Sequence, residues 1–113
     1  MDRAGIEALC LSLPGAVLDY PFGPHIAVYK VGGKMFCAMQ DGDGVSFKVS
    51  DMAYQILTEN GLARPAPYLA KAKWVNLSLP SDWPDDELID HLRGAYQLIL
   101  GKLTKKARAE LGL

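Results

Sequence analysis

Ile6, Leu9, Cys10 and Leu13 fall at the i, i+3, i+4, i+7 spacing of a one-faced helix, with Asp2 placed to cap its start and Pro14-Gly15 to stop it. A short apolar segment, Val17 to Tyr20, is ended by Pro21-Phe22-Gly23-Pro24. The pattern then changes to strands. One runs from Ile26 to Val31, turns at Gly32-Gly33, a pair that accepts positive φ, and returns from Lys34 to Gln40. Asp41-Gly42-Asp43-Gly44 makes a second turn, after which Val45, Phe47 and Val49 alternate with Ser46 and Lys48 as a third strand of the meander.

Ser50 is a good cap for a helix over Asp51 to Asn60, closed by Gly61. A proline-bearing connection, Leu62 to Lys73, leads to a strand from Trp74 to Leu79. There Val75, Leu77 and Leu79 share one face, and Trp74 shares the other with Asn76 and Ser78. Pro84 starts a long helix with Asp85, Asp86 and Glu87 in its first turn, where the helix dipole favours carboxylates. Leu88, Leu92, Tyr96, Ile99 and Leu103 form its buried stripe, and Thr104 caps a last turn over Lys105 to Glu110. The order α-β-β-β-β-α-β-α, with hairpin-length turns, predicts an α+β fold: an antiparallel β-sheet with helices packed on one face. The other face is left uncovered, and Trp74 is expected to lie exposed on it.

The 113 residues fit a single domain, 1–113, with one core. Hydrophobic residues make up 50% and charged ones 22%, which excludes a disordered chain. The net charge of −1, from 12 Lys+Arg against 13 Asp+Glu, argues against attachment to nucleic acid by bulk charge alone. The charge is unevenly placed, however. Asp82, Asp85, Asp86, Glu87 and Asp90 form an acidic block, whereas Arg64, Lys71 and Lys73 form one basic stretch and Lys102, Lys105, Lys106 and Arg108 another. Cys10 and Cys37 read as small buried hydrophobes. The start is too polar for a signal peptide, and no apolar run approaches the roughly 20 residues of a membrane span, so a cytoplasmic protein with no membrane partner is expected.

Catalytic chemistry finds few parts. His25 and His91 are the two histidines, and neither has a third ligand at metal spacing. Glu87 and His91 are spaced for a solvated pair on one helix. Asp41 to Gly44 lacks most of a calcium loop's ligands and reads as a turn. No nucleophile signature occurs. The expectation is a protein that is not an enzyme, with no metal and no cofactor. What remains is lysines interleaved with an aromatic: Lys30 and Lys34 beside the double-glycine turn, Lys48 on the third meander strand, and Lys71 and Lys73 before Trp74.

The segments LSLPGAVLDYPFG, VYKVGGKMFCAM, VSFKVS, PAPYLAKAKWVNL and LRGAYQLILGKLTKK follow, in order and spacing, a pattern that resembles the YjbR/MmcQ family of small bacterial proteins. Pro21-Phe22-Gly23, Lys34-Met35-Phe36 and Lys73-Trp74 are its most specific parts. The resemblance implies a CyaY-like (frataxin-like) α+β fold, similar to the N-terminal domain of the competence regulator TfoX. It also implies a DNA-binding protein that uses a double wing of β-hairpins. Lys34, Lys48, Lys73 and Trp74 match family motif positions, and Lys71 and Arg64 are their neighbours. The sequence departs from the pattern where a His-containing segment precedes the Trp, here Ala70, Ala72 and Lys73, and where a Ser-Tyr pair reads Ala95-Tyr96. Frataxin iron binding does not carry over: Asp2, Glu7 and Asp19 are too few and too scattered to make an acidic ridge.

The expected DNA-binding set is therefore Lys34, Lys48, Arg64, Lys71, Lys73, Trp74 and Asn76, with Trp74 as a stacking platform, the lysines on phosphates, and Asn76 and Arg64 as the candidates for reading bases. Three other readings stand beside it. Trp74, Phe36 and Tyr29 could form an exposed patch for a protein partner or for self-association. A small anionic ligand could sit between the Trp74 strand and the Pro65-Ala66-Pro67 loop. Or Trp74 is structural, its ring covered by the Pro65–Tyr68 loop.

Overall fold

The computed structural model describes residues 1–42, 44–67 and 69–113; the Asp41–Gly44 turn and the Pro65–Tyr68 cover each include one residue, Asp43 and Tyr68, outside the described set. Helix α1 (Arg3–Ser12) starts as expected, with the Asp2 carboxylate accepting from the Gly5 N–H at 2.9 Å. Strands β1 (Val17–Asp19), β2 (Ile26–Val31), β3 (Lys34–Gln40) and β4 (Gly44–Lys48) follow, then α2 (Asp51–Glu59), capped by the Ser50 hydroxyl on Ala53 N–H. Gly32 and Gly33 take φ of 59° and 79° and turn β2 into β3. Two short elements come unannounced by the sequence pattern. They are β5 (Arg64–Pro65) and a 3-10 turn over Ala70–Ala72, both inside the proline-bearing connection. Strand β6 (Trp74–Leu77), α3 (Asp85–Leu100) and α4 (Lys105–Glu110) complete the chain.

The six strands form one antiparallel sheet in the order β1-β2-β3-β4-β6-β5. Helices α1 and α3 cover one face, as the pattern predicts. Ile6, Cys10, Val31, Cys37, Phe47, Val75, Leu88 and Leu92 meet there in one core. Phe36 and Tyr96 pack edge to face at 5.6 Å, and the Tyr96 hydroxyl donates to the Pro14 carbonyl at 2.5 Å, tying α3 to the end of α1. The Cys37 thiol is held well above its ordinary pKa by its hydrogen bond with Cys10 and by burial, as suits two structural cysteines.

One departure from simple alternation decides which side chains reach the second face. Tyr29 pairs with Cys37, but the next residue, Lys30, pairs with Met35, so Phe36 is an extra residue in β3. Such a bulge reverses the side-chain parity of the strand beyond it. Phe36 and Cys37 therefore both enter the helix-side core, and Met35 emerges on the other face. The expected exposed patch of Trp74, Phe36 and Tyr29 is thereby corrected: Phe36 and Tyr29 are fully buried under the helices, and Trp74 is buried on the opposite side of the sheet.

Among the described residues no helix is long and apolar enough to cross a membrane.

Candidate ligand groove and basic end

The second face of the sheet is built from a row of side chains in register across all six strands: Asp19, Val28, Ala38, Ser46, Asn76 and Arg64. Neighbours in such a row stand roughly 5 Å apart, so their side chains meet directly. The centre of the row is low, because Ala38 and Ser46 are small. Both ends are raised. At the β1 side, Asp19 takes a bond from Lys30 Nζ at 2.8 Å, and that bond, with the Tyr20 N–H, holds its carboxyl below the usual pKa. The connection from β1 to β2 brings Phe22 over this side, with 64% of its surface exposed.

At the other side the chain after β5 doubles back. The Ala66 N–H bonds the Trp74 carbonyl at 3.0 Å, the Trp74 N–H bonds the Leu69 carbonyl at 3.2 Å, and the Val49 N–H bonds the Lys73 carbonyl at 3.0 Å. Pro65 lies on the edge strand, where its missing N–H costs nothing. Lys73 takes the left-handed conformation, φ 62°, to close the 3-10 turn, and its ammonium lies 4.9 Å from the centre of the Tyr54 ring. Trp74, whose backbone these bonds hold, is only 4% exposed. Trp74 does share the second face with Asn76, as the alternation predicts, but the face is not open over it. The expectation of an exposed stacking platform is corrected, because the backbone of the connection needed partners and found them on Trp74.

Between the Phe22 side and the Leu69 side lies a cavity of about 660 Å3. Ile26, Met35, Ala38, Pro67 and Leu69 join Phe22 as its apolar lining; Gln40, Ser46, Asn76 and Arg64 are the polar part. The polar groups are linked. Arg64 Nε donates to Asn76 Oδ1 at 2.7 Å, and Asn76 Nδ2 donates to Ser46 Oγ at 2.9 Å. Asn76, 4% exposed, is fixed from both sides and is placed in the groove wall rather than where it could read a base edge. Arg64 is the one charged side chain among the described lining residues.

The lysines of the expected set gather elsewhere. Lys34 is exposed at the start of β3 and Lys71 on the 3-10 turn. Lys48 donates its ammonium to the Ala72 carbonyl. Its pKa is lowered, first by burial and next by the positive charge of Lys102, with Lys73 acting in the same direction and Asp51 against them. Lys48, Lys73 and Lys102 therefore neighbour one another, with Asp51 among them, and make up the basic end; Lys102 is the member the sequence did not join to the others. The seven expected residues thus divide: Arg64 and Asn76 belong to the groove, Trp74 to the packing beside it, Lys48 and Lys73 to the basic end, and Lys34 and Lys71 to exposed positions.

The histidines take quiet roles. His25 Nδ1 lies 3.0 Å from Asp41 Oδ2 on the surface. His91 bonds the backbone carbonyl of Glu87 at 2.9 Å rather than its carboxylate, with its ring 5.0 Å from that of Trp83. Trp83 in turn donates Nε1–H to the Leu62 carbonyl. Among the described residues no three of His, Cys, Asp and Glu come together as a metal site.

The groove's own residues were mostly missed from the sequence. Ala38 and Ser46 carried a usable signal, the outward parity of two small residues on adjacent strands. Met35 did not, because the bulge that exposes it leaves no mark in the hydrophobic pattern.

The YjbR family model matches residues 11–98. The chain is 28% identical to the uncharacterized protein YbdF of Escherichia coli O157:H7 over 94% of its own length and 93% of that protein's. The crystal structure of Deinococcus radiodurans protein DR2400, which carries the family-model domain DUF419, superposes with a TM-score of 0.86 and 30% identity, covering 99% of this chain and 88% of that one.

Proposed function

Starting from a chain that belongs to the YjbR family, we propose that it is a non-enzymatic binding domain whose groove on the second face of the sheet takes a small organic ligand with an apolar body. The observation that carries this reading is the cavity of about 660 Å3, within the ordinary range of small-molecule sites, with an apolar lining and a few linked polar groups at one side. The floor is made of paired strands and needs no rearrangement to receive a ligand. The described lining residues include no Asp, Glu, His, Cys or Lys, which suits binding better than acid–base chemistry.

The test is to fill the groove. Ala38→Leu places a larger side chain at the low centre of the floor. A neutral aromatic probe, naphthol, is expected to bind the original chain and to bind the variant at least about tenfold more weakly, by loss of roughly 1.4 kcal/mol. Thermal unfolding serves to show that the variant is folded. Unchanged affinity in a folded Ala38→Leu chain would place the probe elsewhere and overturn the reading.

A second reading, DNA binding, is favoured by one observation, the nearness of Lys73 and Lys102 to Lys48, with Asp51 beside them and the exposed Lys34 and Lys71 as further cations. It now rests on phosphate contacts without stacking on Trp74 or base reading by Asn76. Three or four lysine–phosphate contacts give weak, sequence-indifferent binding whose log affinity falls with log salt at a slope of roughly −3. In a fluorescence anisotropy titration of labelled duplex, the Lys48, Lys73 and Lys102 triple alanine variant should lose most of that binding. Ala38→Leu should leave it intact. No binding at low salt, where phosphate attraction is strongest, would remove DNA as a partner.

A further inference from the structure

We propose that the outward face of α3 pairs with the same face of a second copy of this chain, antiparallel and centred on Gly94, to give a weak symmetric dimer. The surface lies on the helix side of the sheet, away from the ligand groove, and does not depend on it. Leu88, Leu92, Tyr96 and Ile99 turn α3 towards the core. Glu87, Asp90, His91, Gly94, Gln97 and Leu98 follow the spacing i, i+3, i+4, i+7, i+10, i+11 on the other side, and none of them is buried. The glycine at the middle of this stripe is its unexpected member. Inside a helix, glycine costs more stability than any residue except proline. A Cβ at Gly94 would meet nothing within 4 Å, so the packing of the described residues does not ask for glycine there. A second helix passing close over α3 does ask for it, because side-chain size at the crossing sets how near two helix axes come.

There is room for such a helix. Between α2 and α3 runs a groove of about 460 Å3, with Ala53 on the α2 side and Gly94 and Leu98 on the α3 side. Leu98 and Ile56, the latter three residues after Ala53 on α2, leave apolar surface exposed at its rim.

The order of charge along α3 identifies the occupant. Glu87 and Asp90 precede Gly94, and Lys102 follows it, with Lys48 and Lys73 near Lys102. Among the described residues, Glu87, Asp90 and Lys102 have no ion-pair partner within the chain. An antiparallel copy crossing at Gly94 sets each position before it against the position equally far after it. Glu87, seven before, then stands over the second copy's Gly101, seven after, and beside its Lys102, with no side chain at Gly101 in the way. His91 and Gln97, three before and three after, meet in the same manner. His91 Nδ1 bonds the Glu87 carbonyl, which leaves Nε2 to accept from a Gln97 amide. A two-fold axis makes every such contact twice, so the stripe is complementary to itself. A parallel copy would set acid on acid and lysine on lysine.

The 16 residues of α3 span roughly 24 Å, which places the interface at the small, transient end of the range and predicts a concentration-dependent monomer–dimer equilibrium. Sedimentation velocity of the full chain at low salt should show the average mass rising from monomer towards dimer with concentration. Gly94→Leu fills the crossing with a better helix former, so it should keep or raise the thermal midpoint while weakening the dimer at least about tenfold. Glu87→Lys and Lys102→Glu should each weaken it severalfold. The double variant exchanges the two charges and should recover the dimer, which pairing with an unrelated helix would not do. A chain that stays monomeric up to roughly 1 mM overturns the proposal, whatever other helix then binds the α2–α3 groove. A dimer that survives in folded Gly94→Leu runs through another face and overturns it too. Failure of the folded double variant to recover would overturn the antiparallel orientation.

Discussion

Replacing Trp74 with alanine will destabilise the domain by roughly 3–5 kcal/mol, the range for removing a large buried aromatic ring. The ring is 4% exposed, closed in by a segment whose own hydrogen bonds run to the Trp74 backbone. Removing it leaves a void on the second face of the sheet, at the strand position whose backbone bonds Ala66 and Leu69. Against a total stability of about 5–15 kcal/mol for a domain of this kind, the loss is large, and thermal denaturation should show a fall of more than about 10 °C. A ring on an open face would behave differently, with little change in stability and a specific loss of nucleic-acid affinity. That second outcome would restore Trp74 as a stacking platform. A denaturant titration of Trp74→Ala beside the original chain distinguishes the two.

Gly44→Ala should be comparably damaging, for a different reason. Gly44 opens β4 with φ 80°, and a Cβ there would lie 2.0 Å from the Leu77 carbonyl oxygen and 2.9 Å from its carbon. Backbone cannot step aside as a flexible side chain can, so β6 must move away from β4. The left-handed conformation costs about 1–3 kcal/mol for a residue with a side chain, and the forced displacement adds a comparable amount. A loss of roughly 2–6 kcal/mol is expected. Gly33→Ala is the control, since φ is 79° there but nothing lies within 4 Å of the added Cβ, so conformational strain alone remains. Because Val45 pairs with Leu77 and Ser46 with Asn76, the displacement in Gly44→Ala would also break the row that floors the groove. If Gly44→Ala and Gly33→Ala cost the same in urea unfolding, the close approach of β4 and β6 is not as described.

Much of the fold was legible because its signals are local. The Asp2, Ser50 and Thr104 caps, the Gly32-Gly33 turn and the alternation of Val45, Phe47 and Val49 each announce an element by short-range chemistry, and each stands where the sequence places it. The alternation of β6 likewise assigns Trp74 and Asn76 to the second face correctly. What it could not give is the cover over that face. Arg64–Pro65 is too short to read as a strand, and its pairing with β6 comes from the edge position and from turn hydrogen bonds that have no periodic signature. The Phe36 bulge is similarly silent in sequence, since Met35, Phe36 and Cys37 are all apolar and either parity looks acceptable. The candidate site was legible in its polar members, Arg64 and Asn76, but under a different role. The basic end was legible as lysines and not as a cluster, because Lys48 and Lys102 are brought together only by the packing of α3 against the sheet.

A ligand groove on the second face of the sheet would show itself in solution as a localised, saturable response to an apolar guest. The most direct test is to map amide chemical shifts of the isotopically labelled chain as naphthol, which carries no charge, is titrated in. The groove predicts saturable shifts at Ile26, Ala38, Ser46, Leu69 and Asn76, with little change at Lys34, Lys48 or Lys102. Shifts confined to the helices or to the basic end, or no saturable shift at all, would contradict it.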